Sequence, residues 1–263
     1  MMQGEYKNQV MTFFDTVISP PRGTFVAEQF PVLVPQIDFG AGFYIEDDFF
    51  TISAGAGLAW QAVKGTGGTL ALASALGGQL NIPTAASQND YQLLSSQAAH
   101  FNLRANKPLF FEVALSCTEA ATNKASWFAG LSSTTASGFI QNSGAPAASY
   151  SGAIFWKAQG AMTLAFQTSN GATQNSISSL ATVTSGTQYV LGCILSPNDG
   201  TTGWVTPYVS QIVNGVNTGV VIGATQNLTL AALANMNLIF GVKAGSASAE
   251  TLVVDWARCY CAR

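Results

Sequence analysis

Residues 187–216, TQYVLGCILSPNDGTTGWVTPYVSQIVNGV, constrain the fold more than any other stretch of this 263-residue chain. In the first half Tyr189, Leu191, Cys193 and Leu195 alternate with Val190 and Ile194, so both sides of an extended chain are apolar. Successive side chains of a strand point to opposite faces, and a strand apolar on both must be covered on both. Pro197, Asn198, Asp199 and Gly200 then supply turn chemistry: proline presets φ, Asn and Asp bond back to the backbone, and glycine accepts φ > 0. The chain returns through Trp204, Val205, Thr206, Tyr208 and Val209, residue types that suit a pleated, half-buried surface. Asn214-Gly215 is a second tight-turn signal. Such a hairpin is marginal by itself in water and needs a second sheet to cover it.

The rest of the chain supplies candidates for that sheet. Residues 110–116 alternate Phe111, Val113 and Leu115 with Phe110, Glu112 and Ala114. Residues 127–131 form a further apolar run, and 153–157 and 162–168 flank Gln159-Gly160 as a predicted hairpin. Shorter strands are predicted at 60–63, around Leu70 and Leu72, at 79–82 and at 219–222. Phe101 and Leu103 alternate with His100, Asn102 and Arg104, predicting a strand with one wet face. Residues 83–90 and 132–150 read as loops, the second as a long surface loop. The stretch 228–236 reads as one short helix or a loop. Leu238, Phe240 and Val242 predict another strand. In the last, 252–261, Leu252, Val254, Trp256 and Tyr260 are expected to line one face. Helix is nearly absent, and the strand spacing predicts an all-β antiparallel sandwich of two sheets.

Residues 1–42 differ. Pro20, Pro21, Pro31 and Pro35 and five phenylalanines, Phe13, Phe14, Phe25, Phe30 and Phe39, fall in a stretch with no clear period. Disordered linkers are poor in aromatics, and prolines keep a segment out of a sheet interior. The expectation is an extended N-terminal arm, residues 1–42, before a sandwich domain, residues 43–263. The phenylalanines are anchors that need a surface, either in this domain or on a neighbouring subunit.

Composition excludes several function classes. Charged residues are only 9% of the chain, far below the usual quarter, which fits either a surface covered by partners or one rich in hydroxyls. With ten Lys plus Arg, no basic cluster and a net charge of −3, nucleic-acid binding has no electrostatic footprint. No apolar run reaches the roughly 18 residues of a membrane span, and the first 21 residues do not read as a signal peptide. A soluble product of the cytoplasm is expected. Cys117, Cys193, Cys259 and Cys261 read as buried reduced thiols; Cys259-x-Cys261 by itself is a weak metal or disulfide signal.

No catalytic motif stands out. The lone histidine, His100, reads as a surface or hydrogen-bonded residue, and acyl-transfer triads and most zinc sites need more. Glu112 and Asp255 lie on strands and could in principle meet as a glycosidase pair, but each reads better as hydrogen-bonded on an outer sheet face. Glu46-Asp47-Asp48 reads as a solvated turn rather than a cation site. Trp60 and Trp204 are candidates to stack on sugars, but both read better as core residues. Neither catalysis, cofactor nor metal is expected.

From about Phe43 onward the chain resembles the concanavalin A-like jelly rolls of tailed-phage structural proteins. The residues that carry this are Glu46-Asp47-Asp48-Phe49, Trp60, Leu80-Asn81-Ile82, Phe101-Asn102-Leu103 and the run from Lys107 through Glu112. Trp127-Phe128-Ala129-Gly130-Leu131, Val205-Thr206-Pro207-Tyr208-Val209 and Val253-Val254-Asp255-Trp256 complete the set. The resemblance implies a capsid decoration (cement) protein: a homotrimer on the outer surface of the virion, bound to major capsid protein through its arm and loops. It does not carry over the Glu-x-Asp-x-x-Glu strand of glucanases, which is absent, or the metal ligands of legume lectins. The same fold serves lectins and tail-fibre tips, so a carbohydrate-binding or receptor-binding module is the alternative.

Overall fold

The computed structural model describes residues 4–7, 10–13, 42–49, 59–73, 78–103, 107–197, 201–230 and 233–262. Among them every regular element is a strand. In chain order these are β1 (Gly4–Lys7), β2 (Val10–Phe13), β3 (Gly42–Asp47), β4 (Trp60–Lys64), β5 (Ala71–Ala73) and β6 (Gln79–Pro83). Then come β7 (Tyr91–Ser96), β8 (Leu109–Thr118), β9 (Ala125–Ser132), β10 (Ser151–Lys157), β11 (Thr163–Asn170) and β12 (Gln174–Thr182). The last six are β13 (Gln188–Pro197), β14 (Thr202–Val213), β15 (Val216–Ile222), β16 (Gln226–Thr229), β17 (Asn237–Ala244) and β18 (Thr251–Ala262).

Two antiparallel sheets form the sandwich. One has seven described strands in the order β12-β11-β10-β9-β17-β7-β4. The other has nine, ordered β15-β14-β13-β8-β18-β6-β5, with β16 also on β14 and β3 also on β18. The long strands β14 and β18 each serve two neighbours in turn. The expected hairpin is present in register, Gln188 opposite Ile212 through Pro197 opposite Gly203. Asn214 and Gly215, at φ 52° and 77°, make the tight turn that joins Val213 to Val216. The turn at 198–200 and the positions Phe14, Phe25, Phe30 and Phe39 lie outside the described residues.

Alternation sets the layers as predicted. Tyr189, Leu191, Cys193 and Leu195 join Phe111, Val113 and Leu115 in the core between the sheets, against Trp127, Phe155, Phe166 and Phe240. Val190 and Ile194 join Phe110 and Ala114 on the opposite face, where they are equally buried. All four cysteines are buried and none is in a disulfide, and Cys259 and Cys261 share the inner face.

Several expectations fail for identifiable reasons. In β18, Leu252 and Val254 face the inner core, but Trp256 and Tyr260 belong to the outer cluster. The pairing with β8 shifts between Val254 and Trp256, and a bulge of one residue exchanges the faces of everything after it. Residues 99–104 hold no strand in their described part: Phe101 only bridges Met236, and both it and Leu103 are buried from a loop. The strand is instead β7, whose Leu93 and Leu94 face different clusters, so no alternation marks it. The 132–150 segment is not a free surface loop. Phe139, Ile140 and Tyr150 fold back onto Phe128, Ile154 and Ile239 and seal the outer face of the seven-stranded sheet. Residues 228–236 hold the end of β16 and no described helix. Within residues 1–42, β1 and β2 pair as a short hairpin, Gly4 opposite Phe13, although no period signals it.

Candidate functional site

The most chemically loaded part of the molecule is the outer face of the nine-stranded sheet, where four strands place one residue each in a single row. Tyr208 on β14 stands opposite Gly192 on β13, Gly192 opposite Glu112 on β8, and Glu112 opposite Arg258 on β18. Gly192 has no side chain, and a methyl group there would run into the Tyr208 phenol. The ring therefore lies across the glycine, and its hydroxyl donates to Glu112 Oε1 over 2.8 Å. From the other side Arg258 Nε and Nη2 donate to Glu112 Oε2 at 2.9 and 2.6 Å. The guanidinium also lies over the rings of Phe110 and Trp256, at 5.1 and 5.8 Å from their centroids.

Glu112 is fully buried, and Tyr208 and Arg258 nearly so. Burial, reinforced by the Glu112 carboxylate, drives the Tyr208 hydroxyl well above its usual range, so it stays a proton donor. Both oxygens of Glu112 are engaged, which leaves no lone carboxylate to act as a general acid or base. Asp255 accepts from Gln188 Nε2 at 3.0 Å. The two acids thus lie on adjacent strands of one sheet, each held by its own partner, as the preferred reading of the sequence has it.

A second polar cluster sits beside the inner core. Lys157 Nζ pairs with Glu119 Oε1 at 2.6 Å and donates to the Ala125 carbonyl. Glu250 is buried nearby; its Oε2 accepts from Ala120 N, while Oε1 has no hydrogen-bond partner. Burial, with a smaller push from the Glu119 charge, raises the Glu250 carboxyl above its ordinary value. The cavity here, lined by Cys117, Glu119, Lys157 and Tyr189 among others, holds about 10 Å³. That is room for about one water and for no sugar. Cys117 and Cys193 are pushed up strongly by burial, so neither is a ready nucleophile.

The remaining candidates have structural work. Asp47 is not a solvated turn residue: it accepts from Phe49 N and Trp60 Nε1, both at 2.7 Å, and holds Phe49 at φ 53° in the core. Trp60 is a core residue as expected, stacked near Phe49 and Phe240. Trp204 is not; it is 38% exposed on β14. His100 is exposed. Asp90 clamps two loops by accepting from Thr66 N, Thr66 Oγ1 and Ala85 N. Burial alone would raise its carboxyl, but these donors outweigh it and bring the pKa below the usual value. No group of three or more His, Cys, Asp or Glu among the described residues is arranged to hold a metal.

No protein-family model and no curated protein matches the chain. Solved structures match its shape. A protein of unknown function from Shewanella oneidensis has TM-score 0.55 and 14% identity, covering 91% of this chain and 95% of that one. Peanut lectin gives 0.54 at 10% identity, over 83% and 97%. The lectin UEA-II, in complex with galactose, gives 0.50 at 12% identity, over 84% and 99%. The fold is the lectin-like jelly-roll sandwich. At these identities the likeness is one of fold.

Two outcomes follow. Gly192→Ala should displace Tyr208 and strip a buried hydrogen bond, lowering stability by about 2–4 kcal/mol in chemical denaturation; a loss within about 0.5 kcal/mol would mean the row is not packed as described. Glu250 has a folded pKa above its ordinary 4.5, so its contribution is fully present below the unfolded value and is lost as pH rises through the folded one. Glu250→Gln should therefore gain in Tm over wild type as pH rises from about 4.5 to neutrality. A difference that does not change with pH would contradict the burial of a charged Glu250.

Proposed function

We propose that this chain is a non-catalytic structural protein of a virus particle, decorating the outside of the capsid by binding major capsid protein. The observation that carries the reading is the closure of both sheets. On the outer face of one, Phe110, Tyr208 and Trp256 are buried, and the other is covered by the folded-back Phe139 loop. Both oxygens of Glu112 are engaged by Tyr208 and Arg258, Asp255 accepts from Gln188, and the described cavity is water-sized. A domain of this kind works through its surface. The resemblance to phage jelly rolls and the scarcity of charge, 9% of residues, support a surface that is covered in the assembled state. On this reading residues 1–42 reach a neighbouring subunit, with Phe13, Phe14, Phe25, Phe30 and Phe39 as anchors. Burying one such ring is worth about 1.5–3 kcal/mol before the entropy of ordering the arm.

A second reading, a neutral-carbohydrate module, has one observation in its favour. Exposed Trp204 lies opposite Asn227, beside the hydrogen-bonded Thr206 and Thr225 hydroxyls, and the fold is shared with a lectin that takes galactose. An aromatic face flanked by amides and hydroxyls can stack on a sugar ring.

Co-sedimentation with undecorated capsids separates these readings. The full chain should pellet with the shells, and the chain lacking residues 1–42 should fold yet bind at least about tenfold more weakly, a loss of about 1.4 kcal/mol or more. Truncated protein that binds as tightly as the full chain removes the arm from the interface. Glycan-array signal abolished by Trp204→Ala would establish the second reading instead.

A further inference from the structure

The exposed apolar surface is not spread evenly. Of the seven large apolar side chains exposed among the described residues, four (Val213, Val216, Val221 and Ile222) lie at the free edge formed by β14 and β15. β15 ends its sheet and pairs only with β14, so the opposite side of its backbone is unpaired by any described strand. Edge strands are ordinarily protected by a lysine, a proline or an inward charge. Here the strand reads VNTGVVI, with none of these. The neutrality extends well beyond it: residues 158–242 contain a single charged side chain, Asp199, while the other charges of the chain lie outside that span.

The register within β15 is informative. Val216 pairs with Val213, and Val221 pairs with Val209, a member of the inner core. Five residues apart, Val216 and Val221 would face opposite ways in a regular strand. The register shift beside Gly219, which sits at φ 60°, brings both onto the inner side of the sheet. Asn217 between them is nine-tenths buried, and neither its amide nitrogen nor its oxygen has a hydrogen-bond partner.

We propose that β15 is the contact along which two copies of this chain associate, antiparallel about a twofold axis, with Val216 of each copy against Val221 of the other. This arrangement is self-complementary. It continues the apolar row Val213–Val216 of one copy into Val221–Val209 of the other, twice per dimer. Asn217 of one copy then stands opposite Val220 of the other. A second copy is the fitting occupant because the row matches itself about the twofold axis and carries no charge that would repel its own duplicate. Seven residues extend only about 23 Å, so the neutral β12 and β16 strands beside this edge supply the remaining contact area. The twofold pair replaces the three-fold ring that the phage resemblance implies, and it stands apart from capsid binding.

Sedimentation equilibrium of the full-length protein tests this. Wild type should give twice the 27.4 kDa chain mass. V216K and V221E, at positions exposed in the single chain, should each keep the wild-type circular dichroism spectrum and give the single-chain mass. The double variant V216K/V221E should return to twice that mass, because each lysine then meets a glutamate of the second copy, and its association should now weaken with salt. A monomeric wild type, single variants that remain paired, or a double variant that stays monomeric would each overturn the proposal. Capsid co-sedimentation is scored separately, so either reading can fail without the other.

Discussion

A residue with no side chain organises the outer face of the larger sheet. Gly192 leaves the gap across which Tyr208 reaches Glu112, and Glu112 in turn fixes Arg258. Without that reach the carboxylate would keep only the guanidinium among these contacts, in a setting where each unmet polar atom is costly. With it, a tyrosine, a carboxylate and a guanidinium span four strands and tie β14, β13, β8 and β18 into one plate. The aromatic rings of Phe110 and Trp256 complete the cover over the ion pair. The sandwich thus has a main core between its sheets and a second, partly ionic one outside the larger sheet. A third lies under the Phe139 loop on the smaller sheet.

This layering bears on function. Jelly rolls that bind small ligands need an open concavity with polar groups aimed into it. Here the polar groups that the sequence offers for chemistry are turned into internal fastenings: Glu112 to Arg258, Asp47 to Trp60, Asp90 to Thr66 and Ala85, Glu119 to Lys157. With few charges left for the exterior, the free edge at β15 and the exposed Trp204 are the parts of the described surface that invite contact. The proposed covering role rests on this arrangement, because it is one in which extended surfaces meet.

Much of the fold is legible in the sequence where alternation is intact. β8, β13 and β14 show their two faces directly, and Asn214-Gly215 shows its turn. What is hidden follows physical causes. β7 is covered on both sides and has only adjacent leucines, so nothing alternates. β12, QNSISSLAT, is an edge strand whose exposed positions are three serines and a threonine, and it lacks the apolar count of a strand. The Asp255 bulge exchanges the faces of β18 without any compositional mark. At the candidate site, Glu112 is visible as an acid on a strand, but its partners lie 96 and 146 residues away. One local signal was available: a glycine inside the apolar run YVLGCIL marks a place where something approaches the backbone closely.

The ion pair on the outer face is part of a core and not a surface decoration. A double-mutant cycle with Glu112→Gln, Arg258→Met and the pair together, followed by chemical denaturation, tests it most directly. A buried pair leaves an uncompensated group when either side is removed alone, so the coupling energy should be about 2–3 kcal/mol, with the double variant recovering much of the loss. A coupling of about 0.5 kcal/mol or less, the size found for pairs in open solvent, would contradict the account.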